Sequence, residues 1–232
     1  MIKRDCNERC HIENRLDVKG GCKAIWSKEP CRGPWRQKHA IYSMASTGVE
    51  VWNVCDAKGQ CMYVYKLMRN VDESAVLREM SLQNMAAEAG LAPSIIEVTI
   101  ADDEGIIIME AMDITMSDAI ESLLEDKDKD KDKVRQAIYN MALQARHLLD
   151  NLHTLGLYHG DAHSGNFMLN KAGEWQLIDF GQSGEILEGL EDYYITKDLD
   201  KLCDYLIMPR HQHKNVYSLD FIDSIKELFS HE

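Results

Sequence analysis

The sequence has no long hydrophobic run, and its first residues lack the apolar stretch of a secretion signal. No segment reaches the roughly 18 consecutive apolar residues of a membrane-spanning helix, although 45% of the residues are apolar, enough for an ordinary core. The opening ten residues, MIKRDCNERC, carry too many charges for a signal peptide. These absences predict a cytoplasmic protein without a membrane partner.

Positive charge is scarce over most of the chain. There are 26 Lys and Arg against 39 Asp and Glu, a net charge of −13, so phosphate backbones would be repelled and nucleic acid is not an expected partner. Residues 1–40 are the exception, with ten basic residues against five acidic ones. This basic arm either folds back onto the acidic remainder, which we favour, or recognises an acidic partner. Residues 1–38 also lack periodicity and contain several Gly and Pro, which predicts an irregular extension.

The cysteines are odd in number, so they cannot all pair within the chain. Seven are present, and without a secretion signal we expect reduced thiols. Four of them, Cys6, Cys10, Cys22 and Cys31, crowd the N-terminus beside His11. They are also a candidate Zn²⁺ site, but the eight residues between the later pair are a loose spacing for one. Unligated thiols are the favoured interpretation.

From residue 39 onward the pattern predicts an antiparallel sheet with one helix. Alternating β-branched and aromatic residues predict strands over 39–54 and 60–69 around a turn at 57–59. Residues 72–89 are good helix formers up to Gly90, a natural stop. Two further strand-like segments, SIIEVTIA and GIIIMEA, flank an acidic turn. Together these elements predict a compact lobe of five strands, in which 39–54 counts as two because a strand restarts at Val51 after Gly48.

After Met112 the pattern becomes helical. Thr115 and Asp118 form a T-x-x-D capping signal for a short helix. The charge run EDKDKDKDK (125–133) predicts a solvated loop or a frayed helix start. Beyond it, apolar residues recur at alternating spacings of four and three, which predicts one buried face of a helix of about six turns. These residues are Val134, Ile138, Met141, Ala145, Leu148, Leu152 and Leu155.

The chemistry-bearing residues follow that helix. In the stretch YHGDAHSGNFML, Asp161 and Asn166 lie five residues apart, and Asp179 ends the next apolar strand, shortly before Gly181. Carboxylate and amide oxygens are ligands that Mg²⁺ prefers. Such a metal bridges phosphate oxygens, and a spare carboxylate can orient an incoming hydroxyl.

The motif His-Gly-Asp-x-His-x-Gly-Asn (159–166), followed by Ile-Asp-Phe-Gly (178–181), resembles the protein-kinase-like superfamily in its atypical branches. These include RIO, aminoglycoside and choline kinases, the UbiB type and the small kinase of the tRNA-threonylcarbamoyl complex. The resemblance implies an α+β bilobal fold, with an N-lobe over 39–112 and a reduced, mainly helical C-lobe over 113–232. It also implies that Asp161 is the catalytic base and that Asn166 and Asp179 hold Mg²⁺. His163 would lie near the γ-phosphate of ATP and stabilise charge there.

The same resemblance assigns a lysine and a glutamate upstream. Lys66 ends the expected strand VYKLM and would contact the α- and β-phosphates of ATP. Glu79 on the following helix would pair with it, and Glu73 and Glu88 are the competing glutamates. Farther along, Asp198 is a candidate to hydrogen-bond the catalytic loop.

The phosphate-covering loop and the adenine contacts follow from the resemblance too. Backbone N–H groups of Ser46, Thr47 and Gly48 would cradle phosphates, and Val51 would begin the next strand, although the loop keeps only one glycine. Backbone groups of Glu110 and Met112 would hydrogen-bond adenine.

The function implied is an ATP- and Mg²⁺-dependent phosphotransferase. Only 51 residues follow Gly181, without Ala-Pro-Glu, so we expect an open site that accepts a hydroxyl on a flexible protein segment. The favoured prediction is a minimal Ser/Thr protein kinase, constitutively active or controlled by a regulatory protein. The compact body also resembles kinases that viruses or pathogens deliver into host cytoplasm.

Two alternatives stay open. The histidine at 163, in place of lysine, is shared with small-molecule kinases of the aminoglycoside and choline type. The poor glycine loop and the basic arm would also suit a pseudokinase scaffold that binds nucleotide.

Overall fold

The computed structural model describes residues 23–27, 36–44, 48–55, 61–101, 104–126 and 128–230. They divide into two compact units. Unit 1 contains the described residues up to Glu88 together with Pro93–Met112, and unit 2 contains Ala89–Ala92 and the described residues from Asp113 onward. Each unit has buried apolar residues of its own.

Unit 1 is an antiparallel sheet with one helix. Its elements are β1 (Lys23–Ser27), β2 (Arg36–Met44), β3 (Val49–Cys55), β4 (Cys61–Arg69), α1 (Glu73–Glu88), β5 (Ile95–Ala101) and β6 (Glu104–Glu110). The strand order is β1-β5-β6-β4-β3-β2, so the hairpins β2–β3–β4 and β5–β6 meet where β4 pairs with β6.

The sheet has one strand more than the five predicted. β1 lies inside the segment predicted to be irregular and pairs with β5, and β2 begins at Arg36, also inside that segment. Its five residues, KAIWS, do not alternate between polar and apolar, so no period-2 pattern marks them as a strand. The strand forms because the edge of β5 supplies backbone hydrogen-bond partners.

Side chains of β4 alternate between the two faces of the sheet. Met68 packs in a cluster with Val76 of α1, whereas Tyr65 and Leu67 belong to a second cluster. Because Lys66 and Met68 lie two residues apart, Lys66 shares the face that α1 covers. This parity decides which helix side chain can reach Lys66.

Unit 2 is mainly helical. Its helices are α2 (Met116–Glu125), α3 (Lys131–Thr154), α4 (Glu191–Ile207) and α5 (Leu219–Phe229). Its short strands are β7 (Leu157–Tyr158), β8 (Phe167–Leu169), β9 (Trp175–Leu177) and β10 (Gly184–Glu185). β7 pairs with β10 and β8 with β9, which folds the segment after α3 into two small antiparallel ladders.

The helix signals read from the sequence are confirmed with two adjustments on α3. Thr115 caps α2 by accepting a hydrogen bond from the Asp118 N–H at 3.0 Å. On α3 the buried stripe includes Ala142 rather than Met141, and Leu155 is 40% exposed. A helix repeats every 3.6 residues, so a pattern read at 3.5 drifts off the buried face over several turns. No helix in the described part of the chain is long and apolar enough to cross a membrane.

The cysteines differ from the sequence-based expectation at one position. Cys61, the first residue of β4, is disulfide-bonded, so the expectation of reduced thiols is wrong there. That expectation rested on the missing secretion signal, which does not report which thiols folding brings together. Cys203 is a free, buried thiol whose pKa is raised by burial. The four N-terminal cysteines of the zinc alternative lie outside the described residues.

Candidate active site

Unit 1 contains a buried ion pair. Lys66 Nζ donates to Glu79 Oε1 at 2.6 Å, and the two side chains are only 9% and 6% exposed. The competing glutamates, Glu73 and Glu88, are exposed at the two ends of α1. Burying two charges carries a desolvation cost that their attraction offsets only with good geometry, so such a pair is weak evidence of stabilisation. The structure thus pairs Lys66 with Glu79, the helix residue that the resemblance assigned to it.

The residues around Lys66 come from the neighbouring strands. Val51 of β3 is its direct cross-strand partner. Gly48 precedes β3 with φ of +69°, and its carbonyl accepts a hydrogen bond from the Arg69 N–H at 2.9 Å. A Cβ at Gly48 would lie 2.9 Å from the Arg69 carbonyl oxygen, so the β2–β3 connection itself requires glycine there. Ser46 and Thr47 lie outside the described residues.

The segment expected to contact adenine follows β6. The Glu110 N–H donates to the Ser94 carbonyl at 3.0 Å, and a Glu110 carboxylate oxygen accepts from the Ser94 N–H at 3.2 Å. That N–H is therefore engaged within unit 1, so a contact from Glu110 to adenine rests on its carbonyl group. Met112, the last residue of unit 1, is half-buried.

Unit 2 contains the loop between β7 and β8, residues 159–166. Within it Gly160 has φ of +76°, and a Cβ there would lie 2.3 Å from the Gln182 carbonyl oxygen. The loop therefore packs directly against the turn Phe180–Gln182, and only glycine permits that approach. Asp161 follows, with its side chain 19% exposed.

His159 joins this loop to the strand end that precedes Asp179. Its Nδ1 accepts from the Asp161 N–H at 3.3 Å, which leaves Nε2 to donate to the Ile178 carbonyl at 3.0 Å. Burial lowers the pKa of His159, while the charges of Asp198, Asp179 and Asp161 act in the opposite direction. The ring is therefore a neutral spacer, and both Asp161 and Asp179 lie near enough for their charges to reach it.

Asn166 and Asp179 are held by the same local structure. The Asn166 side-chain NH₂ donates to the Asp161 carbonyl at 2.9 Å, and the Ile178 N–H donates to the Asn166 carbonyl at 3.0 Å. Asp179 is exposed and has φ of +64°. Only Asn70 shares a positive φ among the described non-glycine residues. A left-handed backbone conformation at a residue other than glycine costs about 1–3 kcal/mol, and residues with this conformation cluster at functional sites.

Asp198 of α4 is the main anchor of the loop. It is 1% exposed and accepts from the His159 N–H at 2.7 Å and from the Gly160 N–H at 2.8 Å. The prediction that Asp198 hydrogen-bonds the catalytic loop is confirmed. On the other side of the loop, Ser183 Oγ donates to the His159 carbonyl at 2.9 Å. The loop backbone is thus fixed independently of the Asp161 side chain.

Two residues of α4 were missed by the sequence analysis. Lys201 Nζ forms a short ion pair with Asp161 Oδ1. The ring of Tyr205 stacks on that of His163, with centroids 5.0 Å apart. They lie about 40 residues from the loop they contact, so only their helical spacing from Asp198 could have drawn attention to them.

The donors of unit 2 suit a metal that is held largely by a nucleotide. No group of three or more His, Cys, Asp or Glu that could hold a metal occurs in the described ranges. Mg²⁺, however, keeps several waters and usually takes one or two protein oxygens together with substrate phosphates. The amide oxygen of Asn166 and the exposed carboxylate of Asp179 fit that requirement.

Comparisons with solved structures identify the fold. The kinase domain of BubR1 superposes with a TM-score of 0.60 at 16% identity, covering 82% of this chain and 66% of that one. The ROP18 kinase domain in complex with AMP-PNP and sucrose gives 0.58 at 19%, covering 84% and 73%. The chain thus spans slightly less than two thirds of the first of these structures. At such identities the likeness shows a protein-kinase-like fold.

Comparisons of sequence identify the family. No curated protein matches the chain. The model of the lipopolysaccharide kinase (Kdo/WaaP) family matches residues 57–221, well over half of the sequence. The chain therefore belongs to the lipopolysaccharide kinase (Kdo/WaaP) family.

Proposed function

We propose that this chain is an ATP- and Mg²⁺-dependent phosphotransferase that acts on a hydroxyl group, with a saccharide as the first acceptor class to test. The observation that carries the proposal is the linkage of 159–166 to 178–179. Three hydrogen bonds connect these segments: His159 with Ile178, Asn166 with Asp161, and Ile178 with Asn166. They link the residue that carries the Asp161 carboxylate to the two candidate metal ligands, Asn166 and Asp179. Phosphoryl transfer needs these groups positioned more than it needs covalent chemistry from the protein.

In the proposed reaction Asp161 accepts the proton of the acceptor hydroxyl. The hydroxyl oxygen forms a bond to the γ-phosphorus, the bond from that phosphorus to the β,γ-bridging oxygen breaks, and ADP leaves. Mg²⁺, when bound, would neutralise phosphate charge. Asn166 and Asp179 would hold it through their side-chain oxygens, and His163 would place its ring beside the transferred group.

The residues of unit 1 take the nucleotide roles. Lys66, held by Glu79, would bind phosphate oxygens. Gly48 and the preceding Ser46 and Thr47 would offer backbone N–H groups to phosphates. Val51 would pack beside them, and the carbonyl of Glu110 and the backbone of Met112 would meet adenine.

The family match favours the small-molecule alternative over the Ser/Thr protein acceptor that the sequence analysis placed first. The family is named for kinases of lipopolysaccharide, a saccharide-containing molecule and not a protein. The motifs of this chain resemble those of small-molecule kinases and of RIO kinases alike, which is why the loop alone did not separate sugar from protein acceptors.

The test is transfer of labelled phosphate from γ-³²P-ATP, with Mg²⁺ or with EDTA, to lipopolysaccharide, to free sugars, to a basic protein and to the chain itself. We expect Mg²⁺-dependent transfer to the saccharides. Asp161→Asn should lower it by about 10²–10⁴-fold, the usual contribution of a positioned base, whereas Asp223→Asn, an exposed position on α5, is the matched control. Transfer to protein alone would restore the protein-kinase prediction. ATP binding without transfer to any acceptor would favour the nucleotide-binding scaffold.

A further inference from the structure

We propose that Lys201 of α4 is a positioning residue for the reaction, which holds the Asp161 carboxylate in the orientation that receives the acceptor hydroxyl. The inference rests on the proposed function and extends it to a residue outside the loop motif. Its basis is the ion pair between Lys201 Nζ and Asp161 Oδ1, together with the arrangement of α4 around the loop.

One face of α4 contacts several residues of the loop 159–166. Asp198, Lys201 and Tyr205 are spaced by three and four, so they share a helix face. Asp198 binds the backbone N–H groups of residues 159 and 160, Lys201 binds the side chain of Asp161, and Tyr205 stacks on His163. Successive turns of a single helix therefore contact successive parts of the loop.

The two oxygens of Asp161 have different neighbours. Oδ1 is paired with Lys201, whereas Oδ2 lies 3.8 Å from His163 Nε2. His163 Nδ1 accepts from the Gly165 N–H at 3.1 Å, so Nε2 carries the proton of the neutral ring. Lys201 thus fixes one oxygen and the side-chain rotamer, and the second oxygen is the one near the group expected to meet the phosphoryl donor.

A purely structural role explains this pair poorly. The side chains of Lys201 and Asp161 are 32% and 19% exposed, and ion pairs with this much solvent contact add little to stability. The loop backbone is already fixed by Asp198 and Ser183. What Lys201 adds is a direct contact that sets the direction of the carboxylate, and misplacing a catalytic group by about 1 Å can lower a rate by roughly 10²-fold.

The experiment compares three substitutions in the full chain. With the acceptor found above, we expect Lys201→Met to lower kcat by roughly 10–100-fold while KM and Kd for ATP stay unchanged. Lys201→Arg keeps a cation within reach of Asp161 and should recover most of the loss. Lys197→Met makes the same replacement one turn earlier on α4, where the ammonium lies 6.0 Å from the ring centroid of Tyr193, and should keep the wild-type kcat.

Four outcomes would overturn the inference: an unchanged kcat in Lys201→Met, an increased kcat, a parallel loss of ATP affinity, or no recovery with Arg. An increase would mean that the pair restrains Asp161 instead of preparing it. If Lys201→Met does not fold, Lys201→Gln retains a polar end group and carries the same expectation. Failure of the proposed function is separate, because the wild-type chain would then transfer no phosphate at all.

Discussion

The two units position their candidate site residues by different means. In unit 1 Lys66 and Glu79 stand on a regular strand and a regular helix, and the period of each element brings them together. In unit 2 Asp161 stands on an irregular loop, whose backbone is fixed by hydrogen bonds to Asp198 and Ser183. The pair in unit 1 therefore depends on the regular geometry of one strand and one helix that bury it. The loop in unit 2 depends on hydrogen-bond partners remote in sequence.

The largest effect should come from breaking the buried pair in unit 1. Lys66→Met leaves the Glu79 carboxylate buried without its cation, which should cost about 3–5 kcal/mol of unfolding free energy. The double variant Lys66→Met with Glu79→Leu should recover most of that stability but no phosphate transfer. Hydrogen exchange of residues 61–88 measures the unfolding free energy, and transfer of labelled phosphate measures the activity. Recovery of activity in the double variant would contradict the phosphate-binding role.

A smaller effect is expected from the loop of unit 2. Gly160→Ala combines left-handed backbone with a Cβ at 2.3 Å from the Gln182 carbonyl oxygen, so we expect a loss of about 2–4 kcal/mol. The matched control is Gly173→Ala, where φ is +82° and nothing lies within 4 Å of the added Cβ. It should lose about 1–2 kcal/mol, the backbone cost alone. Equal losses by chemical denaturation would show that the close approach to Gln182 is not constraining.

The smallest effect is a dependence of stability on pH through His159. Because burial lowers its pKa in the folded chain, the unfolded chain binds a proton near pH 6.5 that the folded chain does not. Stability should therefore fall as pH drops below about 6.5, by at most about 1.4 kcal/mol per pH unit. His159→Gln keeps a donor for the Ile178 carbonyl without titrating, so its decline should be shallower.

His147→Gln, at an exposed position on α3, is the control for losing a histidine as such. The measurement is the denaturant midpoint at several pH values. If His159→Gln declines as steeply as wild type, the buried histidine is not the source of the acid sensitivity.

Sequence patterns predict more of the structure of unit 1 than of unit 2. Alternation in β4 and the helix formers of α1 predict which elements exist, and the parity of Lys66 then decides its face. The short β1 could not be predicted, because its existence depends on the free edge of β5. In unit 2 the motif identified Asp161, Asn166 and Asp179, but Lys201 and Tyr205 carry no local signal. Their contacts arise only when α4 packs against a loop about 40 residues earlier.

The kinase-like superfamily suggested by the motifs is confirmed at the level of fold and family. The family found, Kdo/WaaP, is not among the branches that the motifs suggested. The motifs at 159–166 and 178–181 resemble those of small-molecule kinases and of RIO kinases alike, so they do not distinguish the two acceptor classes.

The spacing of Asp198, Lys201 and Tyr205 has a consequence for engineering. Adding a single residue between Asp198 and Lys201 would rotate everything after it by about 100° around the helix axis, and the ammonium and the phenol would turn away from the loop together. The connection between α2 and α3, with its exposed charges, lies outside α4, so a residue added there does not rotate one part of α4 relative to another. Reporter peptides and fluorophores therefore belong in that connection, where added length leaves the orientation of α4 untouched.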